Sequence, residues 1–184
     1  MTRLATVATE KPKPAIKKPQ AAVHQQYGVL PYQETKKAGL EFLLVTSRET
    51  RRWIVPKGWP IRGLTPAASA AEEAYEEAGL RGATRSRSIG SYLYDKRLEE
   101  EHRTVPCEVK LYPMRVHRLE ATWPEQAERE RRWFSPAGAI AVVSDDGVKV
   151  IIENFVSGRR RMSKRKSESK AKGAKLKPQA RRSD

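Results

Sequence analysis

The sequence predicts a sandwich of the α/β or α+β class, built as one domain with extensions at both ends. Two observations predict it. Short segments rich in aliphatic and aromatic residues alternate with a few helical segments, and no internal repeat is visible. The chain of 184 residues is long enough for one well-buried domain and leaves little room for a second.

The first predicted elements are three strands. Residues 23–32 form the first, and residues 41–46 form a second strand that is mostly buried. A hairpin turn over residues 36–39 joins them. Residues 53–55 form a short third strand that Pro56 stops, and the glycines and proline that follow predict an irregular loop.

A helix over Pro66–Ala78 follows this loop. Thr65 can cap its first turn, because a threonine side chain accepts hydrogen bonds from free backbone N–H groups. Pro66 suits the first helical position, where no backbone N–H is needed. Gly79 suits the left-handed residue that ends a helix. The sequence therefore predicts both ends of this helix.

The second half of the chain predicts three more strands and two helices. The strands are residues 88–94, 105–116 and 132–134, with a charged turn over residues 95–102. Ser135 and Pro136 repeat the arrangement of a cap followed by proline, so a helix begins there and reaches Val143. A last helix covers residues 148–155. Mixed strands with few helices favour the sandwich.

Positive charge is concentrated at the two ends of the chain. The net charge is +15, of which residues 1–20 carry +4 and residues 159–184 carry +10, leaving about +1 for residues 21–158. Segments of low hydrophobicity and like charge do not form a core, so both ends are predicted to be disordered basic tails flanking one domain. The C-terminal tail could contact nucleic acid or other polyanions without sequence preference, through counterion release.

Several classes of protein are excluded. No apolar run approaches the roughly 20 residues of a membrane span, so an integral membrane protein is excluded. The first 20 residues lack the apolar core of a secretory signal, which predicts a cytoplasmic location. Cys107 is the only cysteine, which excludes an intramolecular disulfide and a cysteine-based zinc cluster. The oligomeric state stays open, as a monomer or an oligomer.

The predicted helix carries four glutamates on one side. Glu72 and Glu76, and likewise Glu73 and Glu77, are four residues apart and stack along the helix. Like charges at this spacing repel each other, and no basic residue inside the helix neutralises them. A hard divalent cation would relieve the repulsion, since such cations bind carboxylate oxygens. The alternative is a solvated acidic face.

The loop before the helix favours the metal site, and with the helix it resembles the Nudix hydrolase family. That family's signature is G-x5-E-x7-R-E-U-x-E-E-x-G-U, where U is aliphatic. The residues on its positions are Gly58, Glu73, Glu76, Glu77, Gly79 and Leu80. The family's first glutamate is Leu64 here, and its arginine is Glu72. The resemblance implies a Nudix-type α-β-α sandwich with a mixed β-sheet.

By the same resemblance, the chain is a hydrolase of phosphoanhydride bonds that uses Mg²⁺, with Mn²⁺ as an alternative. Glu73 and Glu77 are the expected metal ligands, together with the backbone carbonyl of Lys57. Glu76 is the expected general base, and Glu73 is the other candidate for that role. Glu72 is an alternative additional ligand.

Outside the signature, four stretches carry a further resemblance, residues 43–48, 52–56, 102–104 and 129–134. They resemble the diphosphoinositol polyphosphate phosphohydrolase branch, which implies inositol pyrophosphates or diadenosine polyphosphates as substrates. The expected substrate-binding residues are Thr46, Ser47, Arg48, His102, Arg103 and Arg129, with Lys57 and Arg131 as looser candidates. The branch has basic residues before the first strand, whereas this chain has His24, Gln25 and Gln26. The difference favours a nucleotide. The base of such a nucleotide could stack on Trp53, Trp123 or Trp133. Tryptophans at strand ends are more often core residues.

Two other functions stay open. Because of Leu64 and Glu72, the chain could be a catalytically weakened module that binds a nucleotide or an inositol phosphate as a regulatory ligand. Because of the basic C-terminal tail, it could remove pyrophosphate from RNA 5′ ends. The sequence does not distinguish these functions from hydrolysis of a small molecule.

Overall fold

The computed structural model describes residues 22–98 and 103–175. The expected N-terminal tail, residues 1–20, lies outside the described residues, as do His102 and residues 176–184. The strands are β1 (His24–Thr35), β2 (Gly39–Thr46), β3 (Trp53–Ile54), β4 (Lys57–Gly58), β5 (Leu80–Thr84), β6 (Gly90–Leu98), β7 (Arg103–Leu119) and β8 (Arg131–Phe134). The helices are α1 (Pro66–Ala78), α2 (Pro136–Val142) and α3 (Asp146–Lys175).

In the described part of the chain, eight strands form one mixed sheet. Its central path runs β3-β2-β1-β7-β5, while β4 pairs with β1, β6 with β7 and β8 with β2. The long strands β1 and β7 are parallel, and the other pairings between named strands are antiparallel. A mixed sheet of this kind needs cover on both faces.

Helices cover both faces of the sheet. On one face, Leu30, Leu44 and Leu111 pack with Val148 and Ile152 of α3. On the other face, the small residues of α1 lie against an aliphatic and aromatic set: Val29, Leu43, Val45, Tyr112 and Met114. The architecture is therefore the α-β-α sandwich with a mixed sheet that the resemblance implied.

Most of the predicted elements are confirmed; three regions of the sheet and the last helix differ. The predicted helix and the observed α1 have the same bounds, Pro66–Ala78. Strand β5 was missed because its sequence, LRGAT, does not alternate and three of its five residues are exposed. The predicted charged turn is wrong for residues 95–98, which continue β6 and pair with β7. The irregular loop contains the short strand β4, which pairs with β1.

Helix α3 extends far beyond the predicted end at residue 155. It continues to Lys175, into the segment 159–184 that the sequence predicts to be disordered. Arg159 ties its middle to the domain, because its guanidinium lies 5.3 Å from the Tyr32 ring centroid and pairs with Glu34. Residues with good helix propensity and the absence of proline allow the helix to continue. The domain border at residue 158 stays a prediction.

Among the described residues, no helix combines the length and the apolar character that a membrane crossing requires.

Candidate active site on helix α1

Helix α1 positions the glutamates through its caps and its alanine face. The Thr65 side chain accepts a hydrogen bond from the Ala68 N–H at 3.3 Å, and Gly79 adopts a φ of 62° after the last turn. Ala70, Ala74 and Ala78 are fully buried against the sheet. Because alanine side chains are small, the helix axis lies close to β1 and to the glycine loop.

Glu77 is the most deeply buried of the four glutamates. The residue is 6% exposed. Its Oε2 atom accepts a hydrogen bond from the Lys57 backbone N–H at 3.1 Å, and its Oε1 atom accepts one from Arg129 Nη2 at 2.6 Å. Burial raises the pKa of Glu77, while the Arg129 guanidinium and Lys57 oppose the rise. Glu77 thus fastens the helix to the loop and to the segment before β8.

Glu73 lies one turn earlier, against Gly58. A Cβ atom at position 58 would lie 2.0 Å from the Glu73 Cδ atom, so only glycine leaves room for this carboxyl group. Burial raises the pKa of Glu73 to about 7, and the nearby carboxylates of Glu77, Glu76 and Glu125 contribute to the rise. Glu73 therefore lies in a crowded acidic environment, as the helix spacing predicts.

Glu76 is tied to the segment before β8 through its backbone. Its carbonyl oxygen accepts a hydrogen bond from the Glu125 N–H at 3.1 Å. The side chains of Glu72 and Glu76 are partly exposed and form no hydrogen bond or ion pair with the rest of the described chain. Glu125 adds a further carboxylate to the cluster, from a segment that the sequence analysis did not connect with the helix.

The carboxylate oxygens of Glu73 and Glu77 are chemically suited to bind a divalent cation. Glu73 is a carboxylate whose charge is opposed by burial and by three other carboxylates, which is the situation that a bound cation relieves. A carboxylate has about four lone-pair positions, so Glu77 keeps acceptor capacity beyond its two hydrogen bonds. Among the residues that the structure describes, no group of three or more His, Cys, Asp or Glu side chains is placed to hold a metal ion. A complete shell would therefore need main-chain oxygens, water or phosphate oxygens as well.

Arginines on one side of the glutamates are neutralised by acidic residues. Arg129 is 8% exposed, pairs with Glu77 and Glu125, and donates to the Thr46 carbonyl at 3.0 Å. Arg48 is exposed and lies 3.7 Å from Glu125 and 3.5 Å from Glu128. These two predicted substrate-binding arginines therefore come close to the glutamate cluster, but both have carboxylate partners.

The other predicted substrate-binding residues have varied surroundings. Thr46 is buried, and its hydroxyl accepts a hydrogen bond from the Glu130 N–H at 2.9 Å. The Ser47 hydroxyl accepts one from the Arg52 N–H at 3.1 Å, within the turn that follows β2. Arg103 is exposed at the first position of β7. All remain predictions as substrate-binding residues.

The looser candidate Arg131 has a structural role. It donates hydrogen bonds to the carbonyls of Ala78 and Glu120, at 2.5 and 2.7 Å, and its guanidinium lies 3.8 Å from the Trp123 ring centroid. Arg131 therefore holds the C-terminal end of α1. Trp53 packs edge-on against Phe134, and Trp133 packs against the core beneath α1. These two tryptophans are partly buried and pack against the core.

Lysines occupy the opposite side of the glutamates, where the sequence analysis placed only Lys57. The Lys57 Nζ atom lies 5.0 Å from the Tyr94 ring centroid, and Lys96 Nζ lies 4.9 Å from the Trp59 ring centroid. Lys96 is close enough to Glu73 to lower its pKa. Lys96 follows Tyr94 by two residues, so on a strand both side chains point to the same face. The prediction of a turn over residues 95–102 obscured this signal.

The chain matches the family model described as the NUDIX domain over residues 23–152. It is 28% identical over 141 residues to Nudix hydrolase 21, chloroplastic, of Arabidopsis thaliana, covering 74% of this chain and 68% of the relative. It is 28% identical over 119 residues to Nudix hydrolase 12, mitochondrial, of the same plant, covering 64% and 59%. It is 35% identical over 106 residues to the human diphosphoinositol polyphosphate phosphohydrolase 3-beta, covering 56% and 60%. The matches thus span 59 to 68% of these relatives.

Solved structures share the fold. An Ap4A hydrolase of C. elegans is 16% identical with a TM-score of 0.54, and the match covers 74% of this chain and 98% of that one. The NUDIX domain of Shewanella oneidensis NrtR, complexed with ADP ribose, is 13% identical with a TM-score of 0.56, covering 80% and 95%. At this level of identity the likeness establishes the fold alone.

Proposed function

The chain belongs to the Nudix domain family, and from this premise we propose that it hydrolyses phosphoanhydride bonds in polyphosphorylated small molecules. The observation that carries the proposal is Glu73, held against Gly58 beside Glu76 and Glu77, with a pKa raised to about 7. Carboxylates crowded in this way, next to a close approach of the main chain, form a favourable environment for a divalent cation and a water molecule.

In this proposal, Glu73, Glu77 and the Lys57 carbonyl would hold Mg²⁺. When bound, the cation would withdraw electron density from water and phosphate oxygens. Glu76, partly exposed and unpaired among the described residues, accepts the proton of the attacking water, with Glu73 as the alternative base. Water then attacks phosphorus, the anhydride bond breaks, and the leaving phosphate departs with the bonding electron pair.

The substrates we propose are inositol pyrophosphates and diadenosine polyphosphates. The human relative at 35% identity is named a diphosphoinositol polyphosphate phosphohydrolase, and a solved structure of the same fold is named an Ap4A hydrolase. The names of the plant relatives do not support a cytoplasmic location, because these relatives are called chloroplastic and mitochondrial.

Two observations favour a second function, the weakened module that binds a regulatory ligand. Arg129 is bound to Glu77, and no three candidate side-chain ligands converge in the described residues. Such a module would bind polyphosphates and leave them intact.

Phosphate release with Mg²⁺, compared between the wild type and Glu76→Gln, separates the two functions. We expect the wild type to release phosphate from at least one inositol pyrophosphate or diadenosine polyphosphate, and the variant to be slower by about 10²–10⁴-fold, the usual contribution of a general base. A metal chelator should abolish the release. If both proteins bind these compounds and neither cleaves them, the regulatory module replaces the hydrolase.

A further inference from the structure

The second half of helix α3 is strongly basic. Residues 159–175 contain nine lysines and arginines and one acidic residue, and the helix continues without a break to Lys175. The exposed basic side chains described in this half are Arg160, Arg161, Lys164 and Arg165. At 3.6 residues per turn, these four positions spread over about 140° of the helix circumference. A broad arc of the helix therefore presents positive charge to solvent.

Two open grooves flank α3 where this basic half begins. One groove, of about 800 Å³, lies between α3 and the hairpin of β1 and β2, whose Glu34 and Leu40 line it. The other, of about 330 Å³, lies between α3 and the segment before β6, whose Arg85 and Arg87 line it. Arg159 lines both grooves and is paired with Glu34. The start of the basic half is therefore accessible from both sides.

Both flanking segments carry cations without carboxylate partners. Arg85 and Arg87 are exposed, and among the described residues no ion pair or hydrogen bond engages their side chains. Within the same part of the chain, this also holds for Lys36 and Lys37 at the turn between β1 and β2. Positive charge thus continues across α3 from one flank to the other. We call this surface the basic band, and its residues are Lys36, Lys37, Arg85, Arg87, Arg160, Arg161, Lys164 and Arg165.

The basic band lies on the side of the sheet away from the glutamates. Helix α3 packs with Leu30, Leu44 and Leu111 on one face of the sheet, whereas α1 packs on the other face. A partner bound at the band therefore does not enter the proposed active site. An inference about this partner goes beyond the proposed function and does not depend on it.

The composition of the band favours a nucleic-acid duplex over other polyanions. An anionic membrane surface binds helices that have an apolar face, and Met162 is the only large apolar residue in residues 159–175. A single strand binds by stacking its bases on exposed aromatic rings. The aromatic residues beside the groove, Tyr32 and Phe155, instead pack on each other with ring centroids 5.0 Å apart, and Tyr32 is buried. A duplex needs neither feature, because its outer surface is a dense array of phosphates.

The shape of α3 favours DNA over RNA. A helix with its side chains is about 10–12 Å in diameter, and the major groove of DNA is about 12 Å wide. The major groove of an RNA duplex is too narrow to admit side chains. Residues 159–175 span about 25 Å at 1.5 Å per residue, and cations over a broad arc can reach phosphates on both walls of a groove.

We propose that the basic band binds duplex DNA without sequence preference, with the second half of α3 in the major groove. Lys36 and Lys37 on one flank, and Arg85 and Arg87 on the other, contact the phosphates beside that groove. Arginine guanidinium groups match phosphate oxygens in a bidentate manner. Each contact releases counterions from the DNA, so the affinity falls steeply as the salt concentration rises.

The test is fluorescence anisotropy of a labelled DNA duplex of about 20 base pairs, roughly two helical turns, over a series of salt concentrations. Each phosphate contact contributes about 0.9 to the slope of log K against log salt concentration. We expect Arg85→Gln with Arg87→Gln to lower the slope by about 1–2. Arg160→Gln, Arg161→Gln and Arg165→Gln together should lower it by about 2–3 and keep the helix, because glutamine is a good helix former.

The matched control for the loop variant is Arg81→Gln with Arg118→Gln. It removes the same charge, but both arginines lie within 4 Å of Glu120, and Arg81 stacks on Tyr75 of α1. Its slope should equal that of the wild type. Thermal unfolding checks that all these surface variants keep the fold. Wild-type slopes in both the loop variant and the helix variant would show that the basic band does not bind DNA.

Ser163→Pro tests whether the helix itself is needed, because it keeps every charge and interrupts α3. The wild type and Ser163→Ala should bind the DNA duplex more tightly than an RNA duplex of the same sequence, and Ser163→Pro should lose this preference. Equal preference in the proline and alanine variants would contradict a helix in the major groove. The choice of DNA is wrong if the RNA duplex, or phosphatidylserine vesicles, bind the wild type at least as tightly.

Discussion

The two sides of the glutamate cluster differ in how their positive charges are used. We call Arg48, Arg51 and Arg129 the arginine side, and Lys57 and Lys96 the lysine side. Every cation on the arginine side has a carboxylate within 4 Å, whereas the lysines lie over aromatic rings and have no such partner in the described chain. The two sides therefore differ in whether their positive charges are already matched by carboxylates.

The largest expected effect is the loss of Arg129. Arg129→Met leaves Glu77 buried without its guanidinium, and removing one partner of a buried pair costs about 3–5 kcal/mol of unfolding free energy. Urea unfolding measures the change. Adding Glu77→Gln to this variant should recover part of the loss, because no charge is then left buried. A cost below about 1 kcal/mol would mean that the arginine side is not structural.

Gly58 follows Lys57 of the lysine side on β4. Gly58→Ala should lower activity and leave stability almost unchanged. The new methyl group would collide with the Glu73 carboxyl, which is the flexible end of its side chain and can move away. We therefore expect a small change in thermal stability and a loss of about 10²-fold in kcat/KM, as for a misplaced catalytic group.

The control for this variant is Gly158→Ala in α3, where a Cβ atom meets nothing within 4 Å. It should keep full activity and gain slightly in stability, because alanine favours the helix more than glycine does. Equal activity of the two alanine variants would contradict the role of Gly58.

Glu73 should make the stability of the metal-free protein depend on pH. The pKa of Glu73 is raised from 4.5 to about 7, and no arginine is paired with it. Between these values the folded protein retains a proton that the unfolded chain has released, so the free energy of unfolding falls as the pH rises through this window.

Glu73→Gln should remove this dependence. In metal-free protein, the variant should be more stable than the wild type at about pH 8 and similar to it at about pH 4.5, because only the ionised carboxylate is penalised. Thermal unfolding at both pH values measures the difference. The wild type should lose more stability over this pH range than the variant does. An equal loss in the two proteins would show that Glu73 is not crowded as described.

The smallest expected effect is at the exposed edge of the arginine side. Arg48→Met removes ion pairs of 3.5 and 3.7 Å on a side chain that is 57% exposed, and such pairs contribute about 0–1 kcal/mol. Urea unfolding should barely distinguish it from the wild type. If Arg48→Met lowered the free energy of unfolding as much as Arg129→Met, the buried and the exposed ion pairs of this side would not differ in their contribution to stability.

The sequence predicted the architecture and the glutamate-bearing helix α1 because the signals for both are local. Thr65, Pro66 and Gly79 define the ends of α1 through hydrogen bonds and backbone geometry within a few residues. The glutamate spacing follows from the helix period, and the hydrophobic segments predicted most strands. Strand β5 carried no such signal, because its residues do not alternate and its pairing with β7 depends on distant residues.

The tertiary structure determined which positive charges are paired with carboxylates. Arg129 lies 52 residues from Glu77 in sequence, and the sequence analysis predicted it to bind substrate. Gln26, Lys57 and Lys96 come from three strands that meet only when the sheet forms. By itself, the sequence determined the helix, its row of carboxylates and the family resemblance. Only the folded chain decided which cations are neutralised and which face the site, because ion pairing acts over a few ångströms between residues that the fold brings together.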